Sequence, residues 1–125
     1  MKSPDFERFL VLISQEIHRA LAPTGTLRAG INLSNFLLVS GRNADGTPAG
    51  VSPDLARHIA RVLDVHCQFV TFDTPGELAD AAADELWDIG NIAHEPDRAL
   101  LIDFSQPYVL IDAHFLVRSG SDLTR

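Results

Sequence analysis

Arg98 is the residue whose type and position most clearly suggest chemistry. It stands in the segment 88–108, between a predicted buried strand and an extended Phe-Ser-x-Pro-Tyr run. A helix predicted from about Pro96 would place Arg98 in the first turn, where free backbone N–H groups and the helix dipole favour an anion. The planar guanidinium also fits a carboxylate with two parallel hydrogen bonds. Two interpretations follow, a carboxylate-binding corner or a helix start with a surface arginine, and the local residues alone favour the second.

The side chains around Arg98 offer little other chemistry. Glu95 and Asp97 flank the arginine and could satisfy both it and the helix start internally, which weakens the anion-site interpretation. His94 is the one histidine near this corner, and we expect it to be a polar rim residue. The five histidines form no closely spaced ligand set, and no zinc-protease, phosphate-binding or nucleophile-elbow motif is present. We therefore predict no metal, no cofactor and no catalytic residue.

Length and composition restrict the class of protein. The 125 residues suffice for one compact domain, and a hydrophobic content of 46% supports a true core. A net charge of −7 without any basic run disfavours nucleic-acid binding. The single cysteine, Cys67, excludes an internal disulfide and a cysteine-based zinc site, and we interpret it as a small buried hydrophobe. The N-terminus lacks the pattern of a signal peptide, so either an export signal was removed or the protein stays in the cytoplasm.

Residues 1–22 are predicted to form an amphipathic helix, with Ser3 as N-cap and Pro4 at the first helical position. Its apolar residues recur at steps of three and four and form one wide stripe: Phe6, Phe9, Leu10, Leu12, Ile13, Ile17 and Leu21. Such a stripe must cover either the sheet of this domain or a second chain. The second possibility predicts a homodimer formed through this helix.

The remaining chain alternates predicted strands with predicted helices. Strands are predicted at 26–33, 66–72, 86–92 and 109–117. One helix is predicted to begin at Ser52-Pro53, and another at the capping box Thr74-Pro75-Gly76-Glu77, from which it runs to about Asp84. Residues 34–50 are predicted to form a long loop with a tight turn at 44–47. This alternation predicts a parallel sheet with right-handed connections. If strand one lies between strands two and three, residues 34–36 and 91–94 become neighbours at the carboxyl edge, where ligands bind in such sheets. Arg98 would face the same crevice.

Several segments, taken in order, resemble a known family. They are the strand Gly25-Thr26-Leu27-Arg28-Ala29-Gly30-Ile31, the helix entry Gly46-x-x-x-Gly50-Val51-Ser52-Pro53-Asp54, and the set Asp88-Ile89, Arg98 and Ile102-Asp103-Phe104-Ser105-x-Pro107-Tyr108. Their order and spacing resemble the family 3 extracytoplasmic solute-binding proteins, which are the receptors of amino-acid-type ABC importers. The resemblance covers residues 25–121.

The resemblance implies an α/β fold, a three-layer sandwich with a mainly parallel sheet. It implies that residues 25–121 are a single lobe of the type II periplasmic-binding-protein-like fold, to which the N-terminal helix is an addition. Family members close two such lobes on a small ligand, commonly an amino acid or other small carboxylate, and work with an ABC permease outside the cytoplasm. Only the first lobe is expected in this chain.

The resemblance also implies roles for particular residues. Arg98 would grip the α-carboxylate of the ligand, backbone groups of Asn91, Ile92 and Ala93 would help to hold it, and Asn35 and Phe36 would line the pocket. Amino-acid binders usually carry a hydroxyl residue where Ala93-His94-Glu95 stands here, and this turn is about two residues shorter than in typical members. The ligand is therefore left open.

Two alternatives to solute binding remain. Some proteins of this fold are cyclohexadienyl dehydratases, but that chemistry needs acid and base groups placed across a closed cleft. The other alternative is an isolated lobe that acts by protein association through the helix 1–22.

Overall fold

A short parallel sheet organises this computed structural model, which describes residues 3–5 and 15–122. In chain order the elements are α1 (Gln15–Leu21), β1 (Thr26–Asn32), β2 (Gly41–Arg42), β3 (Pro48–Ala49), α2 (Val51–Leu63), β4 (His66–Phe72), α3 (Pro75–Asp80), β5 (Ile89–Gly90) and a 3-10 turn (Arg98–Leu100). The main sheet has the order β4-β1-β5 and is parallel throughout. The prediction that the first strand lies between the other two is therefore confirmed.

The two outer strands differ in how much of β1 they cover. The β1–β4 ladder runs over the full length of both strands, from Thr26 opposite His66 to Asn32 opposite Phe72. The strand predicted at 86–92 is shorter in the structure, where β5 pairs with β1 only at Ile89 and Gly90. Single hydrogen bonds extend the contact with β1 at either end, from Asp88 N to the Arg28 carbonyl (2.8 Å) and from Asn91 N to the Gly30 carbonyl (3.4 Å).

Helix α2 covers one face of the sheet, where alternate residues of β1 are buried against it. The members of this core are Leu27, Ala29, Ile31, Val39, Ala56, Ala60 and Leu63, with Cys67, Phe69 and Ile89 packed around them. Cys67 is half-buried, and burial raises the pKa of its thiol. The alternation of buried β1 residues follows from the two-residue period of a strand.

The start of α2 differs from the prediction. Ser52 is not the N-cap; Gly50 takes that position, and no side chain caps the helix. Gly50 has φ 136°, and a Cβ there would lie 2.9 Å from Ser40 N and even nearer to the Leu38 carbonyl, so only glycine fits. The Ser52 side chain turns inward instead and is 1% exposed.

Helix α3 and Trp87 cover the opposite face, which completes the three layers. The predicted capping box is present: Thr74 Oγ1 accepts from Glu77 N at 3.2 Å, and Glu77 Oε2 accepts from Asp73 N at 3.2 Å. The helix ends at Asp80, earlier than the predicted Asp84, and turns follow. Trp87 donates through Nε1 to the Leu78 carbonyl (2.8 Å). Its ring packs on Gly30 and Gly90, where a Cβ would come within 3.2 Å of the indole.

The region predicted as the loop 34–50 contains a small antiparallel hairpin, β2 with β3. The predicted turn forms its tip, where Asp45 Oδ1 accepts from Thr47 N (3.0 Å) and from Thr47 Oγ1 (2.6 Å). These hydrogen bonds lower the pKa of Asp45. The hairpin and α2 are joined through Arg57, which donates to the Pro48 carbonyl at 2.9 Å.

Two predictions concern the ends of the chain. Most of the predicted helical stripe (Phe6, Phe9, Leu10, Leu12 and Ile13) lies outside the described residues. Within α1, Leu21 packs on the core, whereas Ile17 is 45% exposed. The prediction of a strand at 109–117 is wrong, because this segment pairs with no strand and its side chains face solvent. None of the helices among the described residues is both long and apolar enough to cross a membrane.

Candidate functional site

Strands β1 and β5 are parallel neighbours, so the segments that follow them emerge side by side at the carboxyl edge of the sheet. Asn32 ends β1; its Oδ1 accepts from Ser34 N (3.0 Å) and Ser34 Oγ (2.7 Å) and turns the chain away from the sheet. The segment after β5 begins at Asn91. Residues 34–36 and 91–93 are thus the first residues to emerge from adjacent strands at this edge.

On the β1 side, Asn35 and Phe36 play different parts. Asn35 is half-buried and its carbonyl accepts from Val39 N at 2.8 Å, while its Oδ1 accepts from Leu37 N at 3.2 Å. Phe36 is 79% exposed and presents an apolar ring to the solvent. Asn35 therefore fixes the turn, and Phe36 is available as an apolar wall.

On the β5 side, a hydrogen-bonded chain of three residues joins separate elements. Tyr108 OH donates to Asn91 Oδ1 at 2.9 Å and lies 3.1 Å from Ser52 Oγ. Ser52 belongs to the first turn of α2, Asn91 follows β5, and Tyr108 belongs to the Phe-Ser-x-Pro-Tyr run. The side-chain amide of Asn91 is therefore oriented from outside its own segment.

Sequence reasoning missed Ser52 and Tyr108 as members of this corner. Ser52 was interpreted as the start of a helix, and Tyr108 only as the end of the Phe-Ser-x-Pro-Tyr run. Both residues lie in the segments that resemble the family, and this was the available signal. The contact between their side chains depends on how α2 packs against the end of β5, which the sequence does not show.

Arg98 lies in a single 3-10 turn rather than in a helix that starts at Pro96. The expected helix N-terminus with its dipole is therefore absent, and recognition of an anion here would depend on the guanidinium itself. Nη1 donates to the Ala93 carbonyl at 3.2 Å and lies 3.5 Å from Glu95 Oε1. Nε and Nη2 have no hydrogen-bond partner within residues 3–5 and 15–122.

The acids beside Arg98 behave differently from each other. Glu95 pairs with it, as one of the two interpretations anticipated, but the Glu95 side chain is 56% exposed. The Arg98 side chain is 17% exposed, so only the glutamate end of this long pair faces solvent, and such a pair contributes about 1 kcal/mol or less. Asp97 makes no capping hydrogen bond. These contacts position the Arg98 guanidinium through Nη1 and leave its other nitrogen atoms available as donors.

Ile92 is half-buried beside Asn91, and Ala93 is exposed. His94 is exposed and meets the Phe104 ring edge-on, with 4.7 Å between ring centroids and 70° between planes. This contact fits the rim position expected for His94. The described residues hold no group of three or more histidine, cysteine, aspartate or glutamate side chains that could bind a metal ion.

Asp88 marks the opposite, amino end of β5 and is structural. Its carboxylate accepts from Arg28 N (2.8 Å), Arg28 Nε (3.1 Å) and Arg28 Nη2 (2.8 Å), and the side chain is 4% exposed. The hydrogen bonds from Arg28 to Asp88 raise the pKa of Arg28. Asp88 therefore tethers the backbone of β1 at this end of the sheet.

A groove lies elsewhere, along the free edge of β4, and has a volume of about 1010 Å³. None of the predicted site residues lines it. Arg57 lies over the Phe69 ring at 4.7 Å and is held by Asp54 and by the hairpin. Arg57 is thus engaged within the protein and is the less available of the arginines for a ligand.

Comparison with known proteins agrees with the residue-level resemblance. Residues 27–124 match the model of the bacterial extracellular solute-binding proteins, family 3. An ancestral cyclohexadienyl dehydratase of known structure is 28% identical, with a TM-score of 0.62 over 78% of this chain and 39% of its own. An ancestral cationic amino acid solute-binding protein is 26% identical, with a TM-score of 0.61 over 77% of this chain and 41% of its own.

None of the curated proteins compared with the sequence matches it. The chain spans about two fifths of the length of the solved structures that it matches. Together the family match and these neighbours confirm the predicted fold, an α/β lobe of the periplasmic-binding-protein type with a parallel central sheet.

Proposed function

The chain belongs to the bacterial extracellular solute-binding proteins of family 3, and on that premise we propose that it binds an amino acid at the carboxyl edge of its sheet. Residues 34–36, residues 91–93 and Arg98 form one wall of this site. The binding serves ABC-type import, with a permease as the partner. The observation that carries the proposal is the guanidinium of Arg98, held beside Ala93 with two of its nitrogen atoms unengaged by the described residues.

The free donors of Arg98 match the carboxylate of an amino acid. The Ala93 carbonyl fixes the guanidinium through Nη1, which leaves Nε and Nη2 for a bidentate contact. The competing ion pair with Glu95 is long, at 3.5 Å, and its glutamate is exposed. A ligand carboxylate can therefore displace or share this contact at a cost of about 1 kcal/mol or less.

The exposed acids near Arg98 suit the positive groups of a ligand. Glu95 and Asp97 are both exposed and lie in the same turn as the arginine. A zwitterion with a cationic side chain would place its carboxylate on Arg98 and its ammonium or guanidinium toward these acids. One structural neighbour is a cationic amino acid solute-binding protein. We therefore take arginine and lysine as the first ligands to test.

A thermal-shift panel tests the proposal. L-arginine, L-lysine, L-glutamate, L-phenylalanine and succinate would each be added at millimolar concentration to the full chain. A ligand present at ten times its dissociation constant stabilises the protein by about 1.4 kcal/mol, which corresponds to roughly 3 to 6 °C for a domain of this size. If no compound raises the melting temperature, the proposal is wrong.

Arg98→Ala and Arg61→Ala form a matched pair of variants for this panel. Each removes one arginine, but Arg61 is exposed on α2, away from the carboxyl edge. Loss of a charge-assisted hydrogen bond costs about 1.5 to 3 kcal/mol, so Arg98→Ala should weaken binding at least tenfold. Arg61→Ala should leave affinity unchanged, and equal losses in both variants would contradict a specific role for Arg98.

A second candidate function is that of a cyclohexadienyl dehydratase, because one structural neighbour has that activity. A general acid poised near neutral pH needs a carboxyl group shielded from water. The carboxylates of the described residues beside Arg98 (Glu95, Asp97 and Asp103) are all exposed. This arrangement favours binding over turnover, and incubation with prephenate and with arogenate decides the question, since any product formation would support the enzyme.

A further inference from the structure

The hydrogen-bonded chain of Ser52, Tyr108 and Asn91 has a direction, and the burial of Ser52 sets it. The Ser52 side chain is 1% exposed, and among the described residues the hydroxyl group of Tyr108, at 3.1 Å, is the one hydrogen-bond partner of Ser52 Oγ. A serine hydroxyl group has one hydrogen to donate, and a buried hydrogen without an acceptor costs free energy. Since water does not reach this hydroxyl group, Ser52 Oγ donates to Tyr108 OH.

The hydrogen of the Tyr108 hydroxyl group is then left for Asn91. Tyr108 OH donates to Asn91 Oδ1 at 2.9 Å. The oxygen of a side-chain amide accepts and its nitrogen donates, so this contact fixes which end of the amide meets the tyrosine. The nitrogen atom, Nδ2, keeps two hydrogens, and no described residue accepts from them. Ser52 and Tyr108 thus orient the amide and leave its donor end available.

Asn91 stands where the proposed ligand binds. It is the first residue after β5 at the carboxyl edge of the sheet, and it is half-buried. Its backbone N donates to the Gly30 carbonyl at 3.4 Å, so the sheet also holds its backbone. Two residues further on, the Ala93 carbonyl accepts from Arg98 Nη1 at 3.2 Å. The unengaged nitrogen atoms of Asn91 and Arg98 therefore belong to one short segment, and all of them are donors.

We infer that the side-chain amide of Asn91 donates to the ligand through Nδ2, and that Tyr108 and Ser52 are the positioning residues that set its direction. The inference rests on the proposed function and extends it, because the site residues were expected to act here through their backbone groups. It also defines the ligand group at this amide as an oxygen acceptor, a carboxylate or carbonyl oxygen. An ammonium group does not fit there, since it offers only hydrogens.

A purely structural role for Asn91 makes a different demand on this position. To fasten Tyr108, the side chain needs only an oxygen that accepts from the hydroxyl group. Aspartate has the same shape and supplies that oxygen, so Asn91→Asp keeps the contact with Tyr108 and replaces the donor Nδ2 by an acceptor. Stability and ligand binding should therefore respond differently to this one substitution.

Asn91→Asp should unfold at the same urea concentration as the native chain and bind the ligand at least about tenfold more weakly. Isothermal titration calorimetry on the full chain measures the affinity, with whichever of L-arginine, L-lysine, L-glutamate, L-phenylalanine and succinate gives the largest thermal shift. Unchanged affinity would overturn the ligand contact. A lower urea midpoint would mean that Nδ2 itself stabilises the fold, which would also overturn the inference.

Tyr108→Phe tests the positioning without a change of charge. The amide of Asn91 can then turn, and fixing it again on binding should weaken the affinity about two- to tenfold. In an Asn91→Ala background the same change should have no further effect, because Tyr108 acts through Asn91. If Tyr108→Phe weakens binding equally in both backgrounds, its role is structural and the inference is wrong. Circular dichroism confirms that each variant is folded.

Nuclear magnetic resonance of the side-chain amides tests the positioning without any ligand. Loss of one signal pair in Asn91→Asp assigns the Nδ2 hydrogens of Asn91. Tyr108→Phe should shift this pair, whereas Arg61→Ala, a change on the exposed side of α2, should leave it in place. An unmoved pair in Tyr108→Phe would overturn the positioning role. If no compound of the panel binds, the proposed function and the ligand contact are both wrong, and the resonance result still decides whether Tyr108 orients Asn91.

Discussion

Replacing Tyr108 with phenylalanine tests the hydrogen-bonded chain at the candidate site most directly. The change keeps the ring and removes the hydroxyl that binds both Ser52 Oγ (3.1 Å) and Asn91 Oδ1 (2.9 Å). The two partners lose different amounts. Ser52 is 1% exposed, so its hydroxyl loses its partner in a place that water does not reach. Asn91 is half-buried and can turn to solvent.

The expected magnitude follows from these two environments. An unsatisfied buried hydroxyl costs about 1 to 3 kcal/mol, and the hydrogen bond from Tyr108 to Asn91, which water can replace, contributes about 1 kcal/mol or less. Tyr108→Phe should therefore lower the free energy of unfolding by about 2 kcal/mol. Ser52→Ala alone should cost less than 1 kcal/mol, roughly, because Tyr108 is 49% exposed and its hydroxyl can reach water. Adding Ser52→Ala to Tyr108→Phe removes the stranded hydroxyl and should recover about 1 kcal/mol.

Urea unfolding followed by tryptophan fluorescence measures all four proteins of this cycle. Trp87 is the single tryptophan and packs on Gly30 and Gly90 in the sheet, so its emission reports the fold of the whole layer. All samples must have the same protein concentration, because association stabilises the folded state. If Tyr108→Phe costs less than about 0.5 kcal/mol, or if the double variant is the least stable of the four, the hydrogen-bonded chain is not an energetic unit.

A further prediction concerns the amino end of β5. Asp88→Ala should destabilise the chain by about 2 kcal/mol, since it removes a 4% exposed carboxylate that accepts three hydrogen bonds from Arg28, whose side chain is 24% exposed. Asp88→Ala/Arg28→Met should recover part of that loss in the same urea assay, and an Asp88→Ala cost below about 0.5 kcal/mol would contradict the tether.

Local patterns predicted the sheet well because they depend on near neighbours in sequence. The alternation in Leu27, Ala29 and Ile31 and the dense apolar run of β4 fix which residues face α2, and the capping box fixes where α3 begins. Strand order also followed, since helical connections leave few ways to arrange three parallel strands. The family-like spacing of segments then located the edge at which a ligand would bind.

Predictions failed where a distant contact decides the local structure. Ser52 has the residue type of an N-cap, but the close approach of residues 38–40 makes Gly50 the cap and buries Ser52 against Tyr108. Residues 109–117 have the composition of a strand, but a strand needs a partner to pair with, and this segment pairs with none of the described strands. Composition indicates what a segment can form and leaves open whether its partner is present.

The two arginines at the opposite ends of the sheet show why Arg98 is the better candidate for ligand recognition. The Asp88 carboxylate accepts hydrogen bonds from Arg28 N, Nε and Nη2 and is 4% exposed, and the Glu85 carbonyl accepts from Arg28 Nη1. Displacing that carboxylate would break a buried pair, which is strongly destabilising. Arg98 is held by a carbonyl and by one long contact to an exposed glutamate. Because no helix N-terminus supports it, an incoming carboxylate gains its affinity from the unengaged donors of Arg98, and it breaks nothing that stabilises the fold.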